Sequence, residues 1–180
     1  MTESPVPSTK VAIAARLEQA FSEQGFAEPG VAQLKTISQV SLRTLYKHYP
    51  SKEAMVIGAL EHRHQRYSTL LQGTESMTPS EAVNALFDRL ADWMRDEAPH
   101  GCLSVNALAA FPDSAAIRDA VNGHKQAVRQ QLGRLSGRPD LATALFLLHE
   151  GASSSWPLLA DAAIDAARQS ALTLILETQA

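Results

Sequence analysis

Apolar residues recur along this chain at helical spacing, in blocks set off by Gly, Pro and small polar residues. Ile13, Leu17, Ala20 and Phe21 fall at i, i+4, i+7 and i+8, with Ser8 or Thr9 placed to cap the start and Gly25 to stop the end. Residues 1–9, with two prolines and no periodicity, are expected to form a loose N-terminal arm. Pro29-Gly30 breaks the chain before a short helix from about Val31 to Ser38, with Val31 and Leu34 inward. A third helix is expected from about Leu42 to His48. Pro50-Ser51 ends it, and Ser51 with the first-turn acid Glu53 opens a long fourth helix carrying Met55, Ile57 and Leu60 to about Leu71.

The turn-rich stretch 73–79 separates this part from the rest. Ser80 is expected to cap a helix with Val83, Leu86, Phe87, Leu90 and Met94 on its inner face, closed by Pro99-His100-Gly101. A short apolar helix from Cys102 to Phe111 and a more polar one from Ala115 to Leu135 follow, and Ser136-Gly137-Arg138-Pro139 is a break. Two final helices are expected, Leu141 to about Trp156 and Ala162 to Glu177, the second presenting Ile164, Ala171, Leu172, Ile175 and Leu176. No strand signal exceeds what short helices explain, so the predicted fold is all-α. The expected division is an N-terminal domain over 1–50, a connecting helix over 51–71 and a C-terminal domain over 72–180.

Composition agrees with a helical protein: 45 % of the 180 residues are hydrophobic and 19 % charged. The longest strongly apolar run, Ala144 to Leu148, is too short to span a bilayer, and the first five residues lack the basic start of a secretion signal, so a cytoplasmic protein with no membrane partner is expected. A single cysteine, Cys102, leaves no internal disulfide framework and no multi-cysteine zinc site. His62-x-His64 places its imidazoles on roughly opposite sides of a helix, so no metal site is expected there. The net charge of −3 divides unevenly: residues 1–71 hold 8 Lys/Arg against 6 Asp/Glu, and residues 72–180 hold 8 against 13. The N-terminal part is the one suited to face phosphate.

Two short helices joined by a tight turn, over 31–48, are the smallest device that lays one helix in a major groove while the other braces it. Leu45 and Tyr49 mark the inner face of the second helix, with Val40 just before it. Ser41, Leu42, Arg43, Thr44 and Lys47 are left outside. Arg43 is the candidate base reader, because its planar fork matches guanine O6 and N7. Tyr46, His48 and Lys52 are candidate phosphate contacts, Lys52 at a helix start where free N–H groups favour an anion.

Phe21-Ser22-Glu23-Gln24-Gly25-Phe26, followed by Val40-Ser41-x-x-Thr44-Leu45-Tyr46-x-His48-Tyr49-x-Ser51-Lys52-Glu53-Ala54-Met55, resembles the tetracycline-repressor (TetR) family, with spacing that holds without gaps from Ile13 to Leu60. The resemblance implies a homodimeric all-helical repressor with an N-terminal helix-turn-helix, a C-terminal pocket, and release from palindromic operator DNA when an effector binds. Three residues depart from the family pattern. Lys35 stands where a small Ala is usual, Gln39 where the turn has Gly, and Gly30 where a capping Ser or Thr often touches phosphate. A left-handed Gln39 would cost on the order of 1 kcal/mol.

In the C-terminal part, Gly101-Cys102-Leu103-x-x-Asn106-Ala107-Leu108 is similar to a segment at the start of the family's sixth helix. Phe87, Trp93, Met94, Leu108, Phe111, Phe146 and Trp156 are candidate pocket residues, with Asn106 and His149 as polar anchors for a partly apolar effector. Cys102 is a candidate redox or electrophile sensor, with His100 or a helix start as its activating neighbour. The last two helices, with the low-relief run Gly151 to Ser155, are expected to build a four-helix dimer interface. No cofactor is expected. An enzyme is disfavoured by the lack of Ser/His/Asp spacing, a phosphate loop or a paired ligand set. The competing reading is a dimeric ligand-binding protein of the same fold that has lost specific DNA binding.

Overall fold

The computed structural model describes residues 8–74 and 76–177. Among these the helices are α1 (Thr9–Gln24), α2 (Val31–Ser38), α3 (Leu42–His48), α4 (Lys52–Leu70), α5 (Pro79–Asp96), α6 (Leu103–Ala110), α7 (Ala115–Leu135), α8 (Ala142–Leu159) and α9 (Asp161–Glu177), with a 3-10 turn over Pro139–Leu141 and no strand among the described residues. The expected arm lies outside the described residues except for Ser8 and Thr9. Ser8 caps α1 by accepting from the Val11 N–H. Gly25 ends the same helix at φ 73°, a left-handed value that glycine adopts without Cβ strain, and its N–H closes onto the Phe21 carbonyl at 3.0 Å.

The chain forms two compact units. The first comprises residues 1–66 and 103–121, the second residues 67–102 and 122–180. These are units of packing and not of task, so α6 and the start of α7 belong with α1 to α3. In the first unit Ile13, Leu17 and Phe21 from α1 pack with Leu34, Leu45, Tyr49, Met55, Val56 and Leu60, and with Leu103, Ala107, Ile117 and Val121. Burial of such side chains, at about 1.5–3 kcal/mol each, is what makes short α2 and α3 stable. Among its described residues the first unit also buries one carboxylate. Glu18 is 2 % exposed and meets His62 Nδ1 at 2.5 Å, Arg63 Nη1 at 3.1 Å and Arg66 Nη1 at 2.9 Å, which ties α1 to α4.

In the second unit the predicted inner face of α5, Val83, Leu86, Phe87, Leu90 and Met94, is buried against Leu145, Ala152, Trp156, Ile164, Ala171 and Ile175 of α8 and α9. Several expected boundaries are corrected. Thr78, not Ser80, caps α5: its hydroxyl accepts from Glu81 N–H while Glu81 accepts from the Thr78 backbone, and Pro79 occupies the first helical position. Helix α8 runs past Trp156 to Leu159 with Pro157 inside its last turn. On α9, Leu176 is exposed, and the inward face is Ala163, Ile164, Ala167, Ala171 and Ile175 with half-buried Leu172 packed against the same core. No described helix is long and apolar enough to cross a membrane.

Candidate nucleic-acid interface

Helix α3 is built to present one face. Ser41 begins it, its Oγ accepting from Thr44 N–H at 3.1 Å and lying 2.8 Å from Thr44 Oγ1, so both hydroxyls are engaged in the cap. Leu45 is fully buried and Tyr49, just past the helix end, is 5 % exposed. With those two held inward, Arg43 and Lys47 lie on the opposite side of the helix at i, i+4 spacing, Leu42 and Tyr46 flank them at its edge, and all four are exposed. Arg43 and Lys47 have no side-chain partner among the described residues, and Thr44 and His48 are half-buried beside them. Ser51 caps α4 through Ala54 N–H at 3.0 Å, placing Lys52 in its first turn.

Contacts that the sequence did not reveal hold this helix and the end of α2. The Tyr49 hydroxyl donates to the Lys10 carbonyl at 3.1 Å, and the Lys10 ammonium lies 5.9 Å from the centre of the same ring. Burial pushes the Tyr49 phenol up, so it keeps its proton and donates. Gly58 of α4 leaves room for that ring: a Cβ there would sit 2.2 Å from Tyr49 Cε1. Arg16 of α1 donates to the Ser38 carbonyl at 2.8 Å, at the end of α2. Arg16 and Ser38 lie 22 residues apart along the chain and Lys10 and Tyr49 lie 39 apart, and residue type alone does not point to them.

The departures from the family pattern have definite places. Gln39 ends α2 at φ 54° and ψ 37°, in the left-handed region that a glycine would occupy freely. Gly30 caps the start of α2 with no side-chain hydrogen bond. Lys35 points to solvent, which leaves Leu34 to fill the contact of α2 with its neighbours.

The candidate pocket residues are divided by the packing. Phe87, Met94, His149 and Trp156 are buried in the core of the second unit, with Trp93 and Phe146 against it. Leu108 and Phe111 pack on the first unit's core, Phe111 edge-on to Phe26 at 6.0 Å, and Asn106 is exposed. A cavity of about 420 Å³ in the second unit is lined by Arg129, Gln130, Gly133, Arg134, Pro139, Ala142 and Thr143, none of them among the candidates. His149 is no free anchor. It joins Tyr67 and Glu150 in a chain of polar contacts. Lys125 Nζ lies 3.2 Å from Cys102 Sγ, and His100 is exposed. His62 is engaged with Glu18, and no group of His, Cys, Asp or Glu among the described residues is arranged to hold a metal ion.

No protein-family model and no curated protein matches the sequence. Solved structures match the fold. A TetR-family transcriptional regulator from Streptomyces coelicolor superposes with a TM-score of 0.80 at 19 % identity, covering 94 % of this chain and 95 % of its own. A TetR transcriptional regulator from Legionella pneumophila gives 0.73 at 17 %, with 97 % and 99 % covered. A TetR transcription regulator from Haloarcula marismortui gives 0.74 at 19 %, with 94 % and 97 % covered. Helix order, the short α2–turn–α3 pair and near-complete mutual coverage agree, and the chain therefore has the fold of the tetracycline-repressor family of transcriptional regulators.

Proposed function

We propose that the protein is a sequence-specific DNA-binding transcriptional regulator, a homodimer that sets α3 in the major groove of a palindromic operator and leaves it when a small, partly apolar effector binds. The observation that carries this reading is the exposed pair Arg43 and Lys47, flanked by exposed Leu42 and Tyr46, opposite the buried Leu45 of an α3 that Tyr49 also anchors. Arg43 reads guanine. Tyr46, His48 and Lys52 contact phosphate, and the Ser41 and Thr44 hydroxyls share their cap with the backbone of the DNA. The match to TetR-family regulators supports the same reading.

Dimerisation is supported by apolar side chains left uncovered on α8 and α9: Leu147 is 64 % exposed, Leu158 86 %, Leu159 56 % and Leu176 59 %. Such a cluster on one pair of helices suits a two-fold four-helix contact, and two copies of α3 about one DNA turn apart need one. By task, residues 1–50 read DNA, 51–71 connect, and 72–180 sense and dimerise. Helix α4 contributes to both packing units, so an effector that favours the DNA-incompetent arrangement acts through it. Footprinting the purified protein on the DNA flanking its own gene tests the proposal. A protected palindrome, lost on adding effector-rich extract, is expected. A soluble dimer that protects no sequence would leave a ligand-binding protein of the same fold.

A further inference from the structure

Helix α3 carries an apolar row that the described residues leave uncovered. Leu42 is 46 % exposed and Tyr46, one turn on, is 40 % exposed, and the two run alongside the row of Arg43 and Lys47. Apolar side chains exposed singly are ordinary on a protein surface, whereas two at i, i+4 beside two cations form a patch on the side of α3 turned away from the core. Leu42 is also the first residue of the helix. In a helix-turn-helix the N-terminal residues of the second helix are those that meet base edges. Few side chains are free to do so at this end of α3. Ser41 Oγ accepts from Thr44 N–H at 3.1 Å and lies 2.8 Å from Thr44 Oγ1, so both hydroxyls are tied to the helix start. Leu45 is fully buried. Leu42 and Arg43 are the side chains that remain to reach a base.

We propose that Leu42 reads the 5-methyl group of a thymine, and that this thymine lies within about two base pairs of the guanine read by Arg43 in each half-site of the operator. The assignment rests on the function proposed above and deepens it by naming the bases recognised. Base edges in the major groove present donors and acceptors, and the thymine methyl is the one apolar group among them. A leucine cannot hydrogen-bond. Set against the edge of guanine, adenine or cytosine it would strip water from polar atoms and return nothing, whereas against the methyl both groups leave water together. The spacing follows from the two backbones. Consecutive Cα atoms are about 3.8 Å apart and stacked base pairs about 3.4 Å, so neighbouring residues of α3 reach bases no more than a step or two from each other. Tyr46 continues the row with its ring, which shields the methyl from water on the side of the next turn, and its hydroxyl stays available for phosphate. Burying one methyl in such a contact is worth about fourfold in affinity.

The test titrates the full-length protein, by fluorescence anisotropy, on the footprinted duplex with each thymine in turn replaced by deoxyuridine, which removes only the methyl, and each guanine in turn by 7-deazaguanine, which removes only the N7 acceptor. The guanine whose replacement weakens wild type but not Arg43→Ala is the one Arg43 reads. Within about two base pairs of it, one deoxyuridine per half-site should weaken wild type about fourfold, and about fifteenfold when both half-sites carry it. Leu42→Ala should bind the thymine and deoxyuridine duplexes alike, and Leu42→Met, which keeps the apolar reach, should retain the difference. Leu42 belongs to neither apolar core, so both variants should melt with wild type. The wild-type arm needs no substitution in the protein and stands whatever the variants' stability. Wild type that prefers the footprinted duplex yet binds every deoxyuridine duplex as tightly would overturn the proposal and leave the Leu42 and Tyr46 row to a protein partner. A deoxyuridine loss that persists undiminished in Leu42→Ala, or that falls only farther from the Arg43 guanine, would overturn it as well. Equal binding of wild type to the footprinted and a scrambled duplex would instead remove the regulator reading itself, and the methyl contact with it.

Discussion

The Arg16 guanidinium of α1 donates to the Ser38 carbonyl at 2.8 Å, and the next residue, Gln39, turns the chain in a left-handed conformation. The bond closes an orphan carbonyl at the end of α2 and pins the turn that a glycine would make without strain. Gln39→Gly should therefore stabilise the protein by about 1 kcal/mol, read as a higher urea midpoint with an unchanged slope. Arg16→Met should lower specific operator affinity while the helical content holds, and adding Gln39→Gly should restore part of it.

Gly58 and Tyr49 give a second, steric prediction. An alanine at 58 drives its methyl into the Tyr49 ring, whose hydroxyl is anchored on Lys10, so the ring and the end of α3 must shift. Overpacking of this kind costs about 1–3 kcal/mol. Thermal unfolding of Gly58→Ala should show that loss, and its DNA affinity should fall more than that of an equally destabilised second-unit variant.

Glu18 holds His62, Arg63 and Arg66 from a buried position. Glu18→Ala leaves Arg63 buried without its carboxylate, and breaking such a cluster costs about 3–5 kcal/mol. Equilibrium denaturation should place Glu18→Gln between wild type and Glu18→Ala, because the amide keeps an acceptor and loses the charge.

Glu150 makes stability depend on acid. Burial alone would raise its carboxyl, but the His149 hydrogen bond and the Lys125 ammonium, 2.6 Å away, depress it from 4.5 to about 2 in the folded protein, so it contributes stability in full above about pH 4.5 and loses it as pH falls through about 2. Glu150→Gln should be less stable than wild type at neutral pH, and the gap should narrow between pH 4.5 and 2. A gap that stays constant across that window would mean that Glu150 is not ionised against Lys125 and His149.

Helices α1 to α3 were legible because their signals are local. Ile13, Leu17 and Phe21 keep helical spacing, Ser8 and Ser51 are caps in the proper register, and Gly25 is a stop, so element ends came out within a residue or two, although the cap that Ser41 forms on α3 was not read. The α3 face was legible for the same reason, since Leu45 and Tyr49 fix which side is left over. The start of α5 was misread because Thr78 and Ser80 both offer a cap, and the choice rests on Glu81 reaching back three residues. The polar chain from Tyr67 to Cys102 was not legible: its members come from four separate stretches, and Tyr67 and His149 are 82 residues apart. Arg16, Glu18 and Gly58 escaped for the same reason, each being defined by a distant partner and not by its neighbours in sequence.

The most direct test of the central claim is a fluorescence-anisotropy titration of wild type, Arg43→Ala and Lys52→Ala on the footprinted duplex and on a scrambled duplex, at several salt concentrations. Wild type should prefer the footprinted duplex, and Arg43→Ala should lose about 1–3 kcal/mol of that preference. Lys52→Ala should weaken binding to both duplexes alike and lower the salt slope by about one. Equal binding of wild type to both duplexes at every salt concentration, or an Arg43→Ala protein that discriminates as well as wild type, would contradict the account.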